Sequence, residues 1–225
     1  MYNDYPSAYA NFMSHHDCDH NVARVLLPLL RPTDVVADFG CGAGRITDMV
    51  SPRVQRVLAC DASKGMVDYV GAKGYHNVRA AVATLGTEGR TAHLVGHADI
   101  VVAGWALSYV KQDNWGDPKW PTYVSDVIRA WERDFRPRAI VIFETLGTGV
   151  TAPTRKGDIL DHEGAFQACT LRTDYLFRDE TEAMEHLTFF FGAKSARRFL
   201  TVGSVLEERG ILIPEVTAMY MCTYS

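Results

Sequence analysis

Residues 14–20 (SHHDCDH) hold six side chains that can bind a metal ion or carry a proton. A zinc site takes three or four nitrogen or sulfur ligands in a tetrahedral arrangement, and six consecutive residues cannot all converge on one ion. If the run is helical, only His16 and His20 share a face, at positions i and i+4. Because no CxxC motif or second histidine pair lies nearby in the sequence, we expect no metal site.

Two other interpretations of this run stay open. Asp17 or Asp19 can cap a helix that begins near residue 19, because a carboxylate accepts hydrogen bonds from the free amides of a first helical turn. Alternatively, His16, or in second place His15, can act as a general base, since imidazole takes up a proton near neutral pH. The second interpretation makes both histidines candidate catalytic residues.

A glycine-rich run follows at residues 35–47 (VVADFGCGAGRIT), and it predicts a buried strand, a tight turn and a helix. Alternate glycines let a ligand approach backbone amides at the positive end of the helix. The dinucleotide fingerprint GxGxxG is not met, because its last glycine is replaced by Arg45 or by Thr47, depending on where the count starts. A phosphate-binding P-loop is not met either, because it needs Gly-Lys-Ser or Gly-Lys-Thr at its end.

A second acidic residue indicates a nucleoside ligand. Asp61 ends a second apolar run (VLAC) and lies 23 residues after Asp38, the spacing expected for an acid that accepts hydrogen bonds from a ribose diol. The motif DxGxGxG and the segment at residues 61–66 (DASKGM) resemble class I, Rossmann-like S-adenosylmethionine-dependent methyltransferases of the small-molecule type. The resemblance extends to residues 139–149 and 172–192, and so covers nearly the whole chain.

The resemblance implies which residues surround the cofactor. Asp61 would hold the ribose hydroxyls, Met66 would pack near the adenine, and Asp38 would lie with the glycine backbone around the methionine part. The full implied set is Tyr9, Asp38, Gly40, Cys41, Gly42, Gly44, Asp61, Ala62, Met66, Thr84 and Trp105. The chain departs from the family after its third predicted strand (VRAAVATL), where no acidic residue follows, so adenine recognition would use the backbone or Thr84.

For the transfer step, the resemblance implies mainly positioning, because a methyl sulfonium is already activated. A hydroxyl or protonated-amine acceptor also needs a general base. The candidate catalytic residues are His16, His15 and Tyr109. The candidate aromatic walls of the pocket are Tyr2, Tyr5, Tyr9 and Phe12 near the N-terminus, and Trp105, Tyr109, Trp115 and Trp120 after the fourth predicted strand.

Three further polar residues have either a functional or a structural interpretation. Glu144 ends the fifth predicted strand and is a candidate substrate ligand, although a strand-end glutamate is as often solvated or a helix cap. His162 and His186 lie in predicted helices beside charged residues, and we expect both to be structural.

Short runs rich in Val and Ile alternate with amphipathic segments, the pattern of strands joined by crossover helices. The predicted strands are residues 34–39, 54–60, 78–82, 99–104, 139–144, 169–177 and 215–222. The predicted helices are residues 19–30, 45–50, 64–71, 121–135, 159–166, 179–191 and 195–208. We expect an α/β fold with a doubly wound, seven-stranded, mostly parallel sheet, one antiparallel edge strand and helices on both faces. Residues 1–33 are expected to form a helical lid and cap helix, and residues 34–225 the core of a single domain.

The composition indicates which cellular compartment and which binding partners to expect. The 225 residues carry 23 basic and 27 acidic side chains, a formal net charge of -4, and no basic run offers nucleic acid a general attraction. Five scattered cysteines without a CxxC pair fit a reducing cytoplasm better than a disulfide framework. The N-terminus does not resemble a signal peptide, and no apolar run approaches the ~20 residues that span a bilayer. We therefore expect a cytoplasmic protein without membrane contact.

These observations predict an enzyme that methylates an oxygen, nitrogen or sulfur atom of a small molecule, such as a secondary metabolite of natural product biosynthesis. Its cofactor would be S-adenosylmethionine, and the chain would be a monomer or a homodimer. Two alternatives stay open: an RNA or protein methyltransferase, and a domain that binds the cofactor without transferring a methyl group.

Overall fold

The computed structural model describes residues 2–85, 97–114, 116–154 and 165–224. Most of the helix predicted over residues 159–166 lies outside these ranges, as do His162 and Trp115. Within the described segments, none of the helices is long and apolar enough to cross a membrane.

Ten strands lie in the described part of the chain. The first five are β1 (Val35–Phe39), β2 (Arg56–Asp61), β3 (Val78–Val82), β4 (Ile100–Gly104) and β5 (Ala139–Thr148). The others are β6 (Gln167–Arg172), β7 (Tyr175–Phe177), β8 (Val205–Glu207), β9 (Gly210–Ile213) and β10 (Glu215–Thr223). Seven of them form the main sheet in the order β3-β2-β1-β4-β5-β10-β6, and the remaining three form a small sheet in the order β7-β9-β8.

The main sheet has the predicted architecture. Strands β1 to β5 pair in parallel, whereas β10 runs antiparallel to both of its neighbours, β5 and β6. The strand order reverses between β1 and β4, which is where ligands bind in doubly wound sheets, beyond the carboxyl ends of the strands. The prediction of a seven-stranded, mostly parallel, doubly wound sheet is confirmed.

Eight α-helices connect or cover the strands in the described residues. They are α1 (Pro6–Ser14), α2 (Asn21–Leu26), α3 (Arg45–Val50), α4 (Lys64–Gly71), α5 (Leu107–Asp113), α6 (Trp120–Phe135), α7 (Glu180–Phe191) and α8 (Ala193–Arg198). On one face of the main sheet, α6 packs Trp131 and Phe135 against Phe39, whose ring centroid lies 5.1 Å from that of Trp131. On the other face, α2 and α3 bury apolar side chains that include Leu26 and Ile46.

Strand β1 shows why the local sequence forms a central strand. All five of its residues are buried, because successive side chains point to opposite faces and both faces are covered. Ala37 and Phe39 belong to the core that contains α6, whereas Val36 belongs to the core that contains α2 and α3. Its last polar residue, Asp38, lies on the same side as Val36, next to the glycine turn.

Three element predictions are corrected by the structure. The helix predicted over residues 19–30 starts at Asn21 and ends at Leu26, and a 3-10 turn over Leu27–Leu29 follows because Pro28 lacks an amide donor. The strand predicted over residues 169–177 is two strands, β6 and β7, in different sheets. Only the beginning of the helix predicted over residues 195–208 is α-helical, because α8 ends at Arg198. A π turn and then β8 follow it.

The N-terminal segment packs on the small sheet. Helix α1, which was not predicted as a separate element, buries Phe12 in a cluster with Tyr175, Phe177, Leu187 and Ile213. The ring centroids of Phe12 and Tyr175 lie 5.2 Å apart. Helix α1 and the small sheet therefore share one apolar core, separate from the cores on the two faces of the main sheet.

Candidate functional site

The turn between β1 and α3 exposes bare backbone at the carboxyl end of the sheet. Gly40, Gly42 and Gly44 have φ angles of 72°, 52° and 92°, in the left-handed region that favours glycine. A Cβ atom on Gly40 would lie 2.3 Å from Cβ of Ala106, closer than any real contact. The amide of Gly40 donates to the carbonyl oxygen of Cys60 at 2.8 Å, which fixes the turn against β2.

Asp61, at the end of β2, is held in place by two backbone amides. Its Oδ2 accepts a hydrogen bond from Gly42 N at 2.9 Å, and its Oδ1 accepts one from Ser63 N at 2.8 Å. A carboxylate has about four acceptor positions, so each oxygen can still accept a further hydrogen bond. Asp61 is therefore both part of the glycine turn and able to accept from a diol.

Asp38 is a buried carboxyl with an unsatisfied oxygen. Asp38 is only 1% exposed, and its Oδ2 accepts a hydrogen bond from Thr47 Oγ1 at 2.7 Å. Oδ1 has no hydrogen-bond partner among the described residues. Burial raises the pKa of Asp38 to about 7. Because an orphaned buried acceptor is unfavourable, the position suits a ligand that brings a positive charge or a donor.

His16 lies buried at the bottom of the site with both ring nitrogens engaged. Nε2 lies 2.7 Å from Oε1 of Glu215, and Nδ1 contacts the guanidinium of Arg45. Since arginine can only donate, Nδ1 is the acceptor and Nε2 carries the hydrogen. Burial, and after it the charge of Arg45, lowers the pKa of His16, so the ring is neutral near pH 7.

The other residues of the SHHDCDH run separate in space. The Asp17 carboxylate accepts hydrogen bonds from Asn21 N at 2.8 Å and Val22 N at 3.0 Å, so the predicted capping role of Asp17 is confirmed. Asp19 instead forms an ion pair with Arg209 at 2.9 Å. His15 faces away from the glycine turn, towards α7.

Aromatic residues of the N-terminal segment lie over the glycine turn. Cε1 of Tyr9 lies 3.3 Å from the position of a Cβ on Gly42, and the rings of Tyr9 and Tyr2 pack edge to face with centroids 5.2 Å apart. The hydroxyl of Tyr2 contacts that of Tyr109 on α5. Both predicted aromatic walls therefore meet, through Tyr2 and Tyr109, above the carboxyl ends of the strands.

Asn3, which was not among the predicted site residues, adds a polar contact to this cover. Its Oδ1 accepts a hydrogen bond from Ser63 Oγ at 2.7 Å and one from Gly65 N at 3.2 Å. A Cβ on Gly65 would lie 2.4 Å from the carbonyl oxygen of Asn3, so glycine is needed for this approach. The first residues of the chain thus reach across to α4.

Trp105 is held in a backbone conformation that is rare for large residues, with φ of 56°. Its amide donates to Phe143 O at 2.7 Å, and its buried Nε1 has no hydrogen-bond partner in the described part of the chain. The guanidinium carbon of Arg45 lies 4.3 Å from the indole centroid, within cation-π range. Arg45 is the main site residue that the sequence analysis missed, and its only signal was its position directly after the glycines.

The remaining candidates differ in accessibility. Met66 and Cys41 are buried, and burial raises the pKa of the Cys41 thiol, which is therefore not a nucleophile near pH 7. Ala62 and Thr84 are exposed. Glu144 is buried, and its Oε1 accepts from Ser108 N at 3.1 Å in the first turn of α5.

A cavity of about 350 Å³ lies between the glycine turn and α1. Its lining includes Tyr9, Met13, His16, Gly42, Arg45 and Trp105. It therefore brings together α1, the glycine turn and the end of β4. His15, Asp61, Met66 and Tyr109 are not among its lining residues.

A family model described as a methyltransferase domain matches residues 36–118, which contain the glycine turn, Asp61 and Trp105. Over these residues the chain is similar to methyltransferase domains, and its main sheet has the class I, Rossmann-like strand order. S-adenosylmethionine is the cofactor that this similarity implies. The residues present fit that group, since Asp38 offers an unsatisfied acceptor beside the glycine turn. A comparison with curated proteins gave no match.

Solved structures share the fold of this chain at low sequence identity. YcgJ from Bacillus subtilis is 15% identical with a TM-score of 0.58, and the match covers 92% of this chain and 99% of that one. The protein bound to the Trm112 methyltransferase activator of Haloferax volcanii is 14% identical with a TM-score of 0.57, covering 100% and 96%. DhpI, in a complex with SAM and HEP, is 17% identical with a TM-score of 0.51, covering 98% and 93%.

Proposed function

We propose that this methyltransferase acts on an oxygen, nitrogen or sulfur atom of a small molecule. The observation that carries the proposal is the partial cover of the site by the chain's own N-terminal segment. Asn3 bonds to α4, Tyr2 contacts α5, and Tyr9 packs on the glycine turn, where it lines a cavity of about 350 Å³. A partly covered pocket of this size suits a small acceptor better than RNA or a protein, which needs an open groove. The net charge of -4 agrees with this choice.

The cofactor residues are part of the same proposal. When bound, S-adenosylmethionine supplies a methyl group on a positively charged sulfonium. We assign its methionine part to Asp38 and the turn of Gly40, Cys41, Gly42 and Gly44, and its nucleoside to Asp61, Ala62, Met66 and Thr84. Tyr9 and Trp105 would cover the cofactor, with residues 1–33 as the lid and cap helix of the core at 34–225. What supports this assignment is the fixed carboxylate of Asp61 and the unsatisfied one of Asp38.

Arg45 is proposed to hold the carboxylate of the methionine part. Its Nη2 is buried without a hydrogen bond among the described residues, although the Asp17 carboxylate lies 3.8 Å away. The guanidinium is oriented from both sides by His16 and by the face of Trp105. A guanidinium fixed in this way can donate two parallel hydrogen bonds to a carboxylate.

The roles of the candidate catalytic residues stay predictions. His16 can act as a general base only if Nδ1 leaves Arg45, because its other nitrogen already bonds to Glu215. Burial raises the pKa of Tyr109, so its hydroxyl stays protonated near pH 7 and does not serve as a general base. His15 lies outside the cavity lining. We therefore propose that positioning and exclusion of water carry most of the catalysis.

The substrate class can be tested by supplying S-adenosylmethionine with an isotopically labelled methyl group. The protein would be incubated in parallel with a small-molecule cell extract, with bulk RNA and with a protein extract. Label is expected in a small-molecule product by mass spectrometry, and the Asp61→Ala variant should give none. Label in RNA or protein alone would contradict the small-molecule proposal. Calorimetric binding of the cofactor without labelled product in any arm would instead favour a domain that only binds it.

Asp38 predicts how cofactor affinity changes with pH. Its pKa of about 7 in the folded protein exceeds the ordinary value of 3.8, so the folded chain holds a proton that the unfolded chain releases between these values. Stability therefore falls as pH rises through that window. A cationic cofactor favours the ionised carboxylate, so binding should release this proton. We expect affinity by calorimetry to be about tenfold higher at pH 8 than at pH 6.

The matched variant is Asp38→Asn, which keeps the shape of the side chain and cannot titrate. Its cofactor affinity should be nearly constant between pH 6 and pH 8 and weaker than that of the wild type at pH 8. The free energy of unfolding of Asp38→Asn should exceed that of the wild type by the largest amount at pH 8, where the wild-type carboxyl is ionised. Equal slopes of affinity against pH in the two proteins would show that Asp38 is not the titrating group.

A further inference from the structure

A second cluster of potential ligands lies outside the cavity, between α1 and α7. It consists of His15, Glu182 and His186, whose ligand atoms all lie within 4.8 Å of one another. His15 caps the C-terminus of α1, and the other two lie one turn apart on α7. None of the three lines the cavity at the glycine turn. The structure therefore joins one histidine of the SHHDCDH run to a pair that is distant in sequence.

Each of the first two side chains is held by a hydrogen bond that leaves a ligand atom available. His15 Nδ1 lies 3.0 Å from the carbonyl oxygen of Leu176, so Nδ1 carries the hydrogen and Nε2 keeps its lone pair. Glu182 Oε2 accepts from Arg178 N at 2.6 Å, in a capping arrangement at the start of α7. Its Oε1 lies 3.9 Å from Nη2 of the same arginine, too far for a hydrogen bond.

His186 has no hydrogen bond within the described residues, although it lies beside another imidazole. Its ring centroid lies 4.6 Å from that of His15 and 6.1 Å from that of Phe177. A neutral imidazole coordinates a metal ion through a ring nitrogen, and His186 places one beside His15 and Glu182.

We propose that His15, Glu182 and His186 form a binding site for a divalent transition-metal ion, with Zn²⁺ as the preferred physiological ion. Two imidazole nitrogens and one carboxylate oxygen are common zinc ligands. Bonds of about 2.0–2.1 Å in a tetrahedron require ligand atoms about 3.4 Å apart, so the side chains need to close by at most about 1.4 Å. The three residues are partly exposed, which leaves a fourth position for water.

The hydrogen bond from His15 to Leu176 is the kind of outer contact that orients metal-binding histidines in known sites. An ion at this site would tie the end of α1 to α7. Since α1 carries Tyr9 onto the glycine turn, the ion would hold the lid in place without touching the cavity. The proposed role is structural, and it does not depend on the methyl acceptor.

The test is calorimetric titration of the purified, chelator-treated protein with ZnCl₂. One strong site is expected for the wild type, and the affinity should fall about 100-fold or more in His186→Ala, since even outer-contact changes cost about 10- to 100-fold. Glu182→Gln is the second variant, because its amide oxygen can still accept from Arg178 N and so preserves the start of α7. The melting temperature of the wild type should rise by roughly 5 °C or more with zinc at about 100 times its Kd.

His76→Ala is the matched control, because His76 is an exposed histidine that lies in the loop between α4 and β3. It should bind zinc as the wild type does, so that a loss seen only in His186→Ala and Glu182→Gln comes from this site. Circular dichroism would confirm that each variant is folded before the titration. The proposal is overturned if the wild type binds zinc no more tightly than His186→Ala and Glu182→Gln do.

Discussion

The Gly40→Ala variant is expected to lose cofactor binding and about 2–5 kcal/mol of unfolding free energy. Two effects add at this position. The φ angle of 72° is strained for any residue with a Cβ, and that Cβ would lie 2.3 Å from Cβ of Ala106. Relief of the clash must move either the start of α5 or the turn that bonds to β2, and both border the site. Urea denaturation and calorimetric titration with S-adenosylmethionine measure the two losses.

Gly74→Ala is the control that separates strain from the clash. Gly74 has the same φ angle of 72°, but a Cβ there would meet no atom within 4 Å. This variant should lose only about 1–2 kcal/mol of unfolding free energy, because of the strain of a Cβ in the left-handed region, and its cofactor affinity should be unchanged. If the two variants lose equal stability and both still bind the cofactor, close packing of Gly40 on Ala106 is not what shapes the turn.

The centre of the fold could be predicted from the sequence because its signals are local. Strand β1 is a continuous apolar run followed at once by the glycine turn, and α3 starts at the predicted residue, Arg45. The distance in sequence between Asp38 and Asp61 follows from one strand, one crossover helix and the next strand. The structure of these elements is therefore determined by their own residues and not by distant contacts.

The fate of the SHHDCDH run could not be predicted, because long-range contacts decide it. Asp17 adopts a left-handed conformation with φ of 57°, so the chain turns after His16 instead of continuing α1. His16 then faces Glu215, which is 199 residues away, and His15 faces α7. The spacing of the histidines and a helical wheel describe only the local sequence, so neither predicts where Glu215 and α7 lie.

Strand β6 was predicted to continue into β7 for a similar reason. The run at residues 169–177 has no Pro or Gly to end it, yet the chain changes sheet at Thr173 and Asp174. Asp174 Oδ1 accepts from Glu215 N at 2.8 Å, and Thr173 N donates to Glu215 O at 2.9 Å. The break is therefore set by the start of β10. The same Glu215 holds His16, so a single residue links the small sheet to the bottom of the cavity.

These links make the N-terminal segment part of the cavity at the glycine turn rather than an appendage. Phe12 is anchored in the apolar core of the small sheet, whereas Tyr9, one helical turn earlier, rests on Gly42. A change in the small sheet can therefore move the residue that covers the glycine turn.

Asp61→Ala is expected to weaken binding of S-adenosylmethionine by at least about 100-fold. Each hydrogen bond from a ribose hydroxyl to a carboxylate is worth about 1.5–3 kcal/mol, and two of them would be lost. The variant also leaves the amides of Gly42 and Ser63 without their acceptor, so part of the loss comes from the turn itself. Calorimetric titration measures the affinity, and Asp68→Ala is the control, since Asp68 is an exposed carboxylate paired with Lys64 on α4.

A cofactor analogue separates the ribose contact from the support of the turn. A 2′,3′-dideoxy form of S-adenosylhomocysteine lacks both hydroxyls, so the wild type should bind it much more weakly than S-adenosylhomocysteine itself. If Asp61 holds the diol, Asp61→Ala should bind the two compounds with similar affinity, because the contact is already gone. If Asp61 acts only through Gly42 and Ser63, the variant should discriminate between the two compounds as strongly as the wild type does. That outcome would assign the ribose to another residue and leave Asp61 as a support of the glycine turn.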